Sequence, residues 1–283
     1  MLIKSTLTRP MAVAGTFYPS AASGIQRLFE QWRMNADSAE SGGQQTTSDK
    51  RPRALIVPHA GYVYSGQVAF ESYQLWQASH GAPSEEVKTV VVMGPAHRYA
   101  FEGIATVSAD TLETPLGRLS VDTQLRDELL SEFGSVIVSD EANAPEHSIE
   151  VHQPFIKAVL PNVKVLPLLN GDVSVNEVSK VLSKLWSLPD VYFVISSDLS
   201  HFHSYAEAQQ IDQQTAQLIN AGSWQTLNGT RACGYKGIQG LLNLEKSPSF
   251  DIQPLQLINS GDTAGDKQRV VGYGSWAIYE GVK

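Results

Sequence analysis

The hydrophobic positions of the chain fall into short apolar runs, which alternate with longer segments in which every third or fourth residue is apolar. Continuous apolar runs are typical of strands covered on both faces of a sheet, and the longer period is typical of helices with one buried face. The runs predict strands at ALIV (54–57), TVVVM (89–93), IATV (104–107), VIV (136–138), VKVLPLL (163–169), VYFVIS (191–196), IQPLQLIN (252–259) and VVGYGSWAIY (270–279). The periodic segments predict helices over about 23–34, 66–78, 123–133, 148–160, 175–187, 205–221 and 235–244.

This alternation predicts an α/β fold in which helices cover both faces of a central sheet, forming a three-layer sandwich. No helix is predicted between the last two strands, so we expect a mixed sheet. The length of 283 residues fits one large or two small domains. Residues 35–52 are polar and rich in Gly, Ser, Thr and Gln, which predicts a flexible surface loop rather than a domain linker, because too little chain precedes them to bury a core.

Composition and charge exclude several classes of function. With 21 Lys and Arg against 29 Asp and Glu, the net charge is −8, which argues against nucleic-acid binding and a polybasic membrane anchor. No apolar run approaches the ~20 residues that span a bilayer, and the N-terminus lacks the apolar stretch of a signal peptide. The single cysteine, Cys233, excludes an intrachain disulfide and a CxxC zinc knuckle. We therefore expect a cytoplasmic protein.

Histidines follow three of the predicted strands. His59 comes after ALIVP, His97 after VVVMGPA, and His201 after VYFVISSDLS. Ligands of open α/β sheets bind beyond the carboxyl ends of the strands, so these side chains meet at one edge if the strands are parallel neighbours. Imidazole is the commonest metal ligand and a general acid or base. Two interpretations remain open: the three histidines form a shared metal or acid–base site, or each has a separate structural role.

A fourth segment, EHSIEVH (146–152), carries further titratable groups. It differs from the helical zinc motif, because His147 and His152 are five residues apart and would point about 140° apart on a helix. His147 and Glu150 would share a helix face and reach one pocket. The alternative is an ordinary helix start with Glu150 solvated or paired to a neighbour.

Cys233 lies just before a predicted helix, where a thiol pKa is often lowered. A thiolate is both a nucleophile and a soft metal ligand, although an inert buried cysteine fits as well. The segment AGYVYSG (60–66) follows His59 and contains Tyr62 and Tyr64, whose hydroxyls could bind a ligand. It lacks the Gly-Lys-Ser/Thr ending of a P-loop. The alternative interpretation is that the segment is only a tight turn between a strand and a helix.

Taken together, these segments resemble the Memo family, which includes the bacterial AmmeMemoRadiSam system protein B members. The resemblance consists of short sequence motifs, each of which alone is a weak signal. Together they occur in the order typical of the family, from residue 9 to about 280, and this ordered set is specific. The matching pieces are RP (9–10), AGTFYP (14–19), PHAGYVYSG (58–66), GPAH (94–97), ETPLG (113–117), EHSIE (146–150), SSDLSH (196–201), CG (233–234) and GYG (272–274).

The resemblance implies a single α/β domain over residues 1–283, similar to the class III extradiol dioxygenases, which use non-haem iron. It implies a metal site formed by His59, His97 and Cys233, with Asp198 and His201 lining the same pocket as candidate catalytic residues. Iron or copper is the expected metal, and zinc also suits these ligands. A radical SAM protein is the implied partner. The resemblance implies no substrate, and a small molecule or peptide is the ligand expected of a binding module that uses this pocket.

Three functions remain open at this point. The first is a metal-dependent oxidoreductase with an unknown substrate. The second is a metal-independent hydrolase with Cys233 as nucleophile, His201 as base and Asp198 orienting it. The third is a binding module that uses the same pocket without catalysis.

Overall fold

The computed structural model describes residues 7–40, 51–77, 87–244 and 249–281. Its strands are β1 (Thr8–Arg9), β2 (Ala54–Val57), β3 (Thr89–Pro95), β4 (Ile104–Thr106), β5 (Thr111–Thr114), β6 (Gly117–Val121), β7 (Val136–Val138), β8 (Lys164–Asn170), β9 (Val191–Ser196), β10 (His201–His203), β11 (Phe250–Asn259) and β12 (Val270–Glu280).

Its α-helices are α1 (Ala22–Glu40), α2 (Tyr62–Gln74), α3 (Thr123–Glu132), α4 (Asp140–Asn143), α5 (Gln153–Val159), α6 (Val175–Trp186), α7 (Tyr205–Asn220) and α8 (Tyr235–Leu242). Short 3-10 helices cover Glu150–His152, Trp224–Thr226 and Ser260–Asp262. Within the ranges that the structure describes, no helix is long and apolar enough to cross a membrane.

The strands form a mixed sheet in the order β1-β5-β6-β8-β3-β9-β2-β12-β10. Its centre, from β6 to β2, is parallel, whereas β12 runs antiparallel to β2 and also pairs with β11. Because β3, β9 and β2 are parallel neighbours, the segments that follow them leave the sheet side by side at one edge. This arrangement satisfies the condition under which the strand-end histidines were expected to meet.

The two faces of the sheet pack against different helices. In β9, Tyr192 and Val194 join a core with side chains of α1, α2 and α5, while Phe193 and Ile195 join a second core with α6, α7 and α8. A strand covered on both faces needs apolar residues at every position, which explains its continuous apolar run. The expected three-layer α/β sandwich with a mixed central sheet is confirmed.

Two predicted boundaries in the N-terminal half differ from the structure. Helix α1 continues six residues past position 34 to Glu40, so the predicted loop at 35–52 begins too early. Ala36, Ala39 and Glu40 are good helix formers, which favours this extension. Residues 41–50 of that predicted loop lie outside the described residues. Helix α2 begins at Tyr62 rather than residue 66, so Tyr62 and Tyr64 belong to its first turn.

The predicted helix over 148–160 is wrong in its first turn. The chain forms a 3-10 helix at Glu150–His152 before α5 begins at Gln153, and Pro154 occupies the start of α5, where a missing N–H costs nothing. His147 and Glu150 therefore do not share a face of an α-helix. Strands β1, β5, β6 and β10 and helix α4 were not predicted, because they are short and have no continuous apolar run.

Candidate metal centre

The carboxyl ends of β2 and β3 bring two of the predicted histidines together. His59 follows β2 and His97 follows β3, and their ring centroids are 5.1 Å apart. Cys233 reaches the same point from the segment before α8. One ligand atom from each of these three residues lies within 4.8 Å of the others. Atoms that bind one ion at about 2.0–2.3 Å lie roughly 3–4 Å apart, so this spacing is close to that of a shared metal site.

Cys233 is placed by hydrogen bonds to the segment after β9. Its amide donates to the Asp198 carbonyl at 3.2 Å, and the Gly234 amide donates to Ser197 Oγ at 2.9 Å. A Cβ at Gly234 would lie 2.2 Å from the Ser196 carbonyl oxygen, so only glycine allows the two segments to approach this closely.

The Cys233 thiol is held in its protonated form by its surroundings. Burial raises its pKa and the Asp198 carboxyl raises it further, which outweighs the hydrogen bond from the Asp198 amide to Sγ at 3.2 Å. The imidazole in contact with Sγ is that of His59, whose Nε2 lies 3.4 Å away. A cation at this point would favour the thiolate that a metal site requires.

His59 is buried and neutral. Burial lowers its pKa well below the ordinary value of 6.5, and the neighbouring His97 and His147 lower it further. Its backbone amide donates to Asp198 Oδ1 at 2.8 Å, which fixes the end of β2 against the end of β9. A neutral imidazole is the form that binds a metal.

His97 is oriented by Glu146. The carboxylate accepts the His97 amide at 2.6 Å and its Nδ1–H at 2.9 Å, so Nε2 carries the lone pair. Burial of Glu146 opposes its ionisation, but hydrogen bonds from His147 and His97 outweigh burial and hold the pKa of Glu146 well below its usual range. A carboxylate behind a histidine is the usual support of a metal-ligating imidazole. The sequence did not indicate this role for Glu146, although the residue lies beside His147 in the segment EHSIE.

His147 lies against both candidate ligands. Its ring stacks on that of His97 with centroids 4.7 Å apart and meets that of His59 edge-on at 5.4 Å. His97, Glu146 and His147 form a second group whose ligand atoms lie within 4.8 Å of one another. Glu146 already accepts hydrogen bonds from His97, His147 and the Ser148 amide, so it is better placed to orient ligands than to bind a metal.

Asp198 lies beside the three convergent residues, and His201 lies near enough to Asp198 to act on its charge. Asp198 is buried, which raises its pKa, and its Oδ2 lies 3.9 Å from His59 Nε2. His201 lies on β10 at the edge of the sheet, where its charge acts on Asp198. The next residue, Phe202, is exposed and has a positive φ of 63°, which is unusual for a bulky residue.

Tyr62 and Glu150, which sequence analysis placed in the pocket, have other partners. The Tyr62 hydroxyl donates to the Val151 carbonyl at 2.8 Å, and its ring stacks on Phe155 in the core. Glu150 has no exposed surface and is bound by the N-terminal segment, through Arg9 at 2.7 Å and the Tyr18 hydroxyl at 2.7 Å. Both residues support the segment that carries His147 rather than contacting the three donors.

Comparisons with known proteins bear on the fold and the family of the chain. In fold, the chain is similar to an uncharacterized protein from Escherichia coli K12, with a TM-score of 0.52 and 13% identity over 80% of this chain and 99% of the other. It is 30% identical to a MEMO1 family protein of Thermoplasma volcanium, covering 95% of this chain and 97% of that one. It is 33% identical to one of Methanosarcina mazei, covering 94% and 97%. The model of the Memo-like proteins matches residues 9–277, and the chain belongs to the Memo family.

Proposed function

We propose that this protein binds one redox-active iron or copper ion through His59 Nε2, His97 Nε2 and Cys233 Sγ. The observation that carries the proposal is the convergence of these three donors within 4.8 Å. The neutral state of His59 and the bond from His97 Nδ1–H to Glu146 support it, because both make a ring nitrogen available to a cation.

The chemistry of the donors narrows the choice of metal. A thiolate with two imidazoles favours copper, iron or zinc over magnesium or calcium. A bound iron or copper ion would supply one-electron redox chemistry. The single cysteine also suits the reducing conditions of the cytoplasm, where a thiol stays available.

The other residues of the pocket would transfer protons and determine how a ligand reaches the metal. Asp198 and His201 act as the acid–base groups beside the donors in this proposal. The His97 side chain is 28% exposed, which leaves the centre open to solvent on its side. A small molecule or peptide is the proposed ligand, and a radical SAM protein is the partner that the family resemblance suggests.

The geometry supports the metal-independent hydrolase less well. A cysteine nucleophile needs a lowered pKa, whereas burial raises that of Cys233. The imidazole in contact with its sulfur is that of His59, and not that of the proposed base His201.

Metal analysis of protein purified without a His-tag tests the proposal. After anaerobic loading with Fe(II) or Cu(I), we expect one equivalent in the wild type and little in His59→Ala, His97→Ala or Cys233→Ser. His203→Ala is the matched control, because it removes a partly exposed imidazole that lies outside the group of three donors. Full metal content in all three ligand variants would overturn the proposal.

A further inference from the structure

The side chain of Ser196 connects the candidate centre to a second buried histidine. Ser196 ends β9, pairs in register with Val57 of β2, and has no exposed surface. Its Oγ lies 2.6 Å from His59 Nδ1 and 2.9 Å from His152 Nε2, and it donates to the Ser148 carbonyl oxygen at 2.6 Å. One hydroxyl therefore has three close polar neighbours.

Counting protons fixes the direction of these bonds. A serine hydroxyl has one proton to donate and two lone pairs to accept. A carbonyl oxygen can only accept, so the hydroxyl proton points to Ser148. Both imidazole nitrogens must then donate to Ser196 Oγ. His59 consequently carries its proton on Nδ1, and its Nε2 presents a lone pair toward Cys233 Sγ at 3.4 Å.

The surroundings of His152 agree with this assignment. His152 has no exposed surface, and its Nδ1 has no hydrogen-bond partner in the described part of the chain. With the proton on Nε2, only a lone pair is left unpaired at Nδ1. The other tautomer would bury an unpaired N–H, which folded proteins avoid more strictly than an unpaired acceptor.

We infer that Ser196 is a positioning residue that selects the Nδ1–H tautomer of His59 and thereby presents Nε2 to a metal. The inference about metal rests on the proposed function, whereas the tautomer does not. One short segment then orients both histidine donors: Glu146 acts on His97, and the Ser148 carbonyl, with His152, sets the direction of the Ser196 hydroxyl.

Nitrogen-15 NMR of the metal-free protein tests the tautomer directly. We expect the His59 ring proton on Nδ1 in the wild type and a shift toward the Nε2–H form in Ser196→Ala. A wild-type His59 that carries its proton on Nε2 would overturn the inference, whether or not any variant folds.

Titration with Zn(II), which is redox-silent and binds nitrogen and sulfur ligands, tests the consequence. Loss of an orienting partner behind a ligand typically weakens metal binding about 10–100-fold, so we expect a loss of that size in Ser196→Ala. Ser196→Thr keeps the hydroxyl and should restore most of the affinity.

Ser72→Ala is the matched control for the titration. Ser72 is equally buried, and its hydroxyl donates to the Val68 carbonyl within α2, away from the histidines. Wild-type affinity in a folded Ser196→Ala variant would contradict the inference. Absence of Zn(II) binding in the wild type would instead overturn the proposed function, and the NMR result would still decide the tautomer.

Discussion

At the scale of single residues, each histidine donor has one ring nitrogen facing the centre and the other held by the protein. His97 is held by an ionised carboxylate, and His59 by a neutral hydroxyl. A carboxylate raises the basicity of the imidazole it accepts from, so His97 should be the stronger of the two nitrogen donors.

Replacing Glu146 with glutamine tests this role. Glu146→Gln keeps the size of the side chain but removes the charge, so we expect metal affinity to fall about 10-fold or more. Calorimetric titration measures the change, and Glu102→Gln at the exposed surface is the control. An unchanged affinity would show that Glu146 has only a structural role.

The buried His152 should make stability depend on pH. Burial, with a smaller contribution from the neighbouring His147, lowers its pKa from 6.5 to about 3. The unfolded chain binds this proton below about pH 6.5, whereas the folded chain does not. His152 therefore contributes no pH dependence above about pH 6.5 and lowers stability as the pH falls from 6.5 toward 3, by up to about 1.4 kcal/mol per pH unit.

Urea unfolding at pH 7, 6 and 5 measures this effect. His152→Gln keeps an N–H donor for Ser196 but does not titrate, so its free energy of unfolding should fall less steeply with pH than that of the wild type. Equal slopes for the two proteins would mean that His152 is protonated in the folded state.

At the scale of elements, apolar strands could be predicted far better than polar ones. The bounds of β2 and β9 match their predicted runs, because strands covered on both faces need continuous apolar sequence. The bounds of β7 match as well, although Ile137 and Val138 are exposed. Strands β5 and β6, with sequences TLET and GRLSV, have no such run, and pairing with neighbouring strands defines them.

The 3-10 helix at Glu150–His152 is set by tertiary contacts that no local pattern reveals. Glu150 binds Arg9, the amides of Ala12 and Val13, and the Tyr18 hydroxyl, so a distant segment decides where this helix begins. The sequence instead suggested that Glu150 lines the pocket, because it lies three residues after His147 and would share its face of a helix.

Removal of the Glu150 carboxylate should lower the stability of the fold strongly and the metal affinity of the centre only slightly. Glu150→Ala leaves Arg9 and two amides without their partner, and breaking a buried ion pair typically costs about 3–5 kcal/mol. We expect a loss of that size in urea unfolding, with metal affinity within a few-fold of the wild type. Lost metal binding at unchanged stability would instead make Glu150 part of the centre.

At the scale of the whole molecule, the order of the strands brings the candidate donors together. The convergence of His59 and His97 could be predicted because each follows an apolar strand, and β3, β9 and β2 are neighbours. Cys233 follows no strand: its position before a predicted helix left a metal ligand and an inert thiol both open, and the family resemblance placed it with the two histidines. The roles of Ser196 and Glu146 could not be predicted, since they depend on hydrogen bonds between segments that are distant in sequence.

X-ray absorption spectroscopy of the Zn(II)-loaded protein is the sharpest test of the proposed site, because it identifies the atoms around the metal. For the wild type, we expect imidazole nitrogens and one sulfur at about 2.3 Å from zinc. Cys233→Ser should bind zinc more weakly, and the zinc that it retains at high Zn(II) concentration should show imidazole nitrogens and no sulfur. A wild-type spectrum with only nitrogen and oxygen neighbours would overturn the proposed site, because Cys233 would then be a thiol beside the metal and not a ligand.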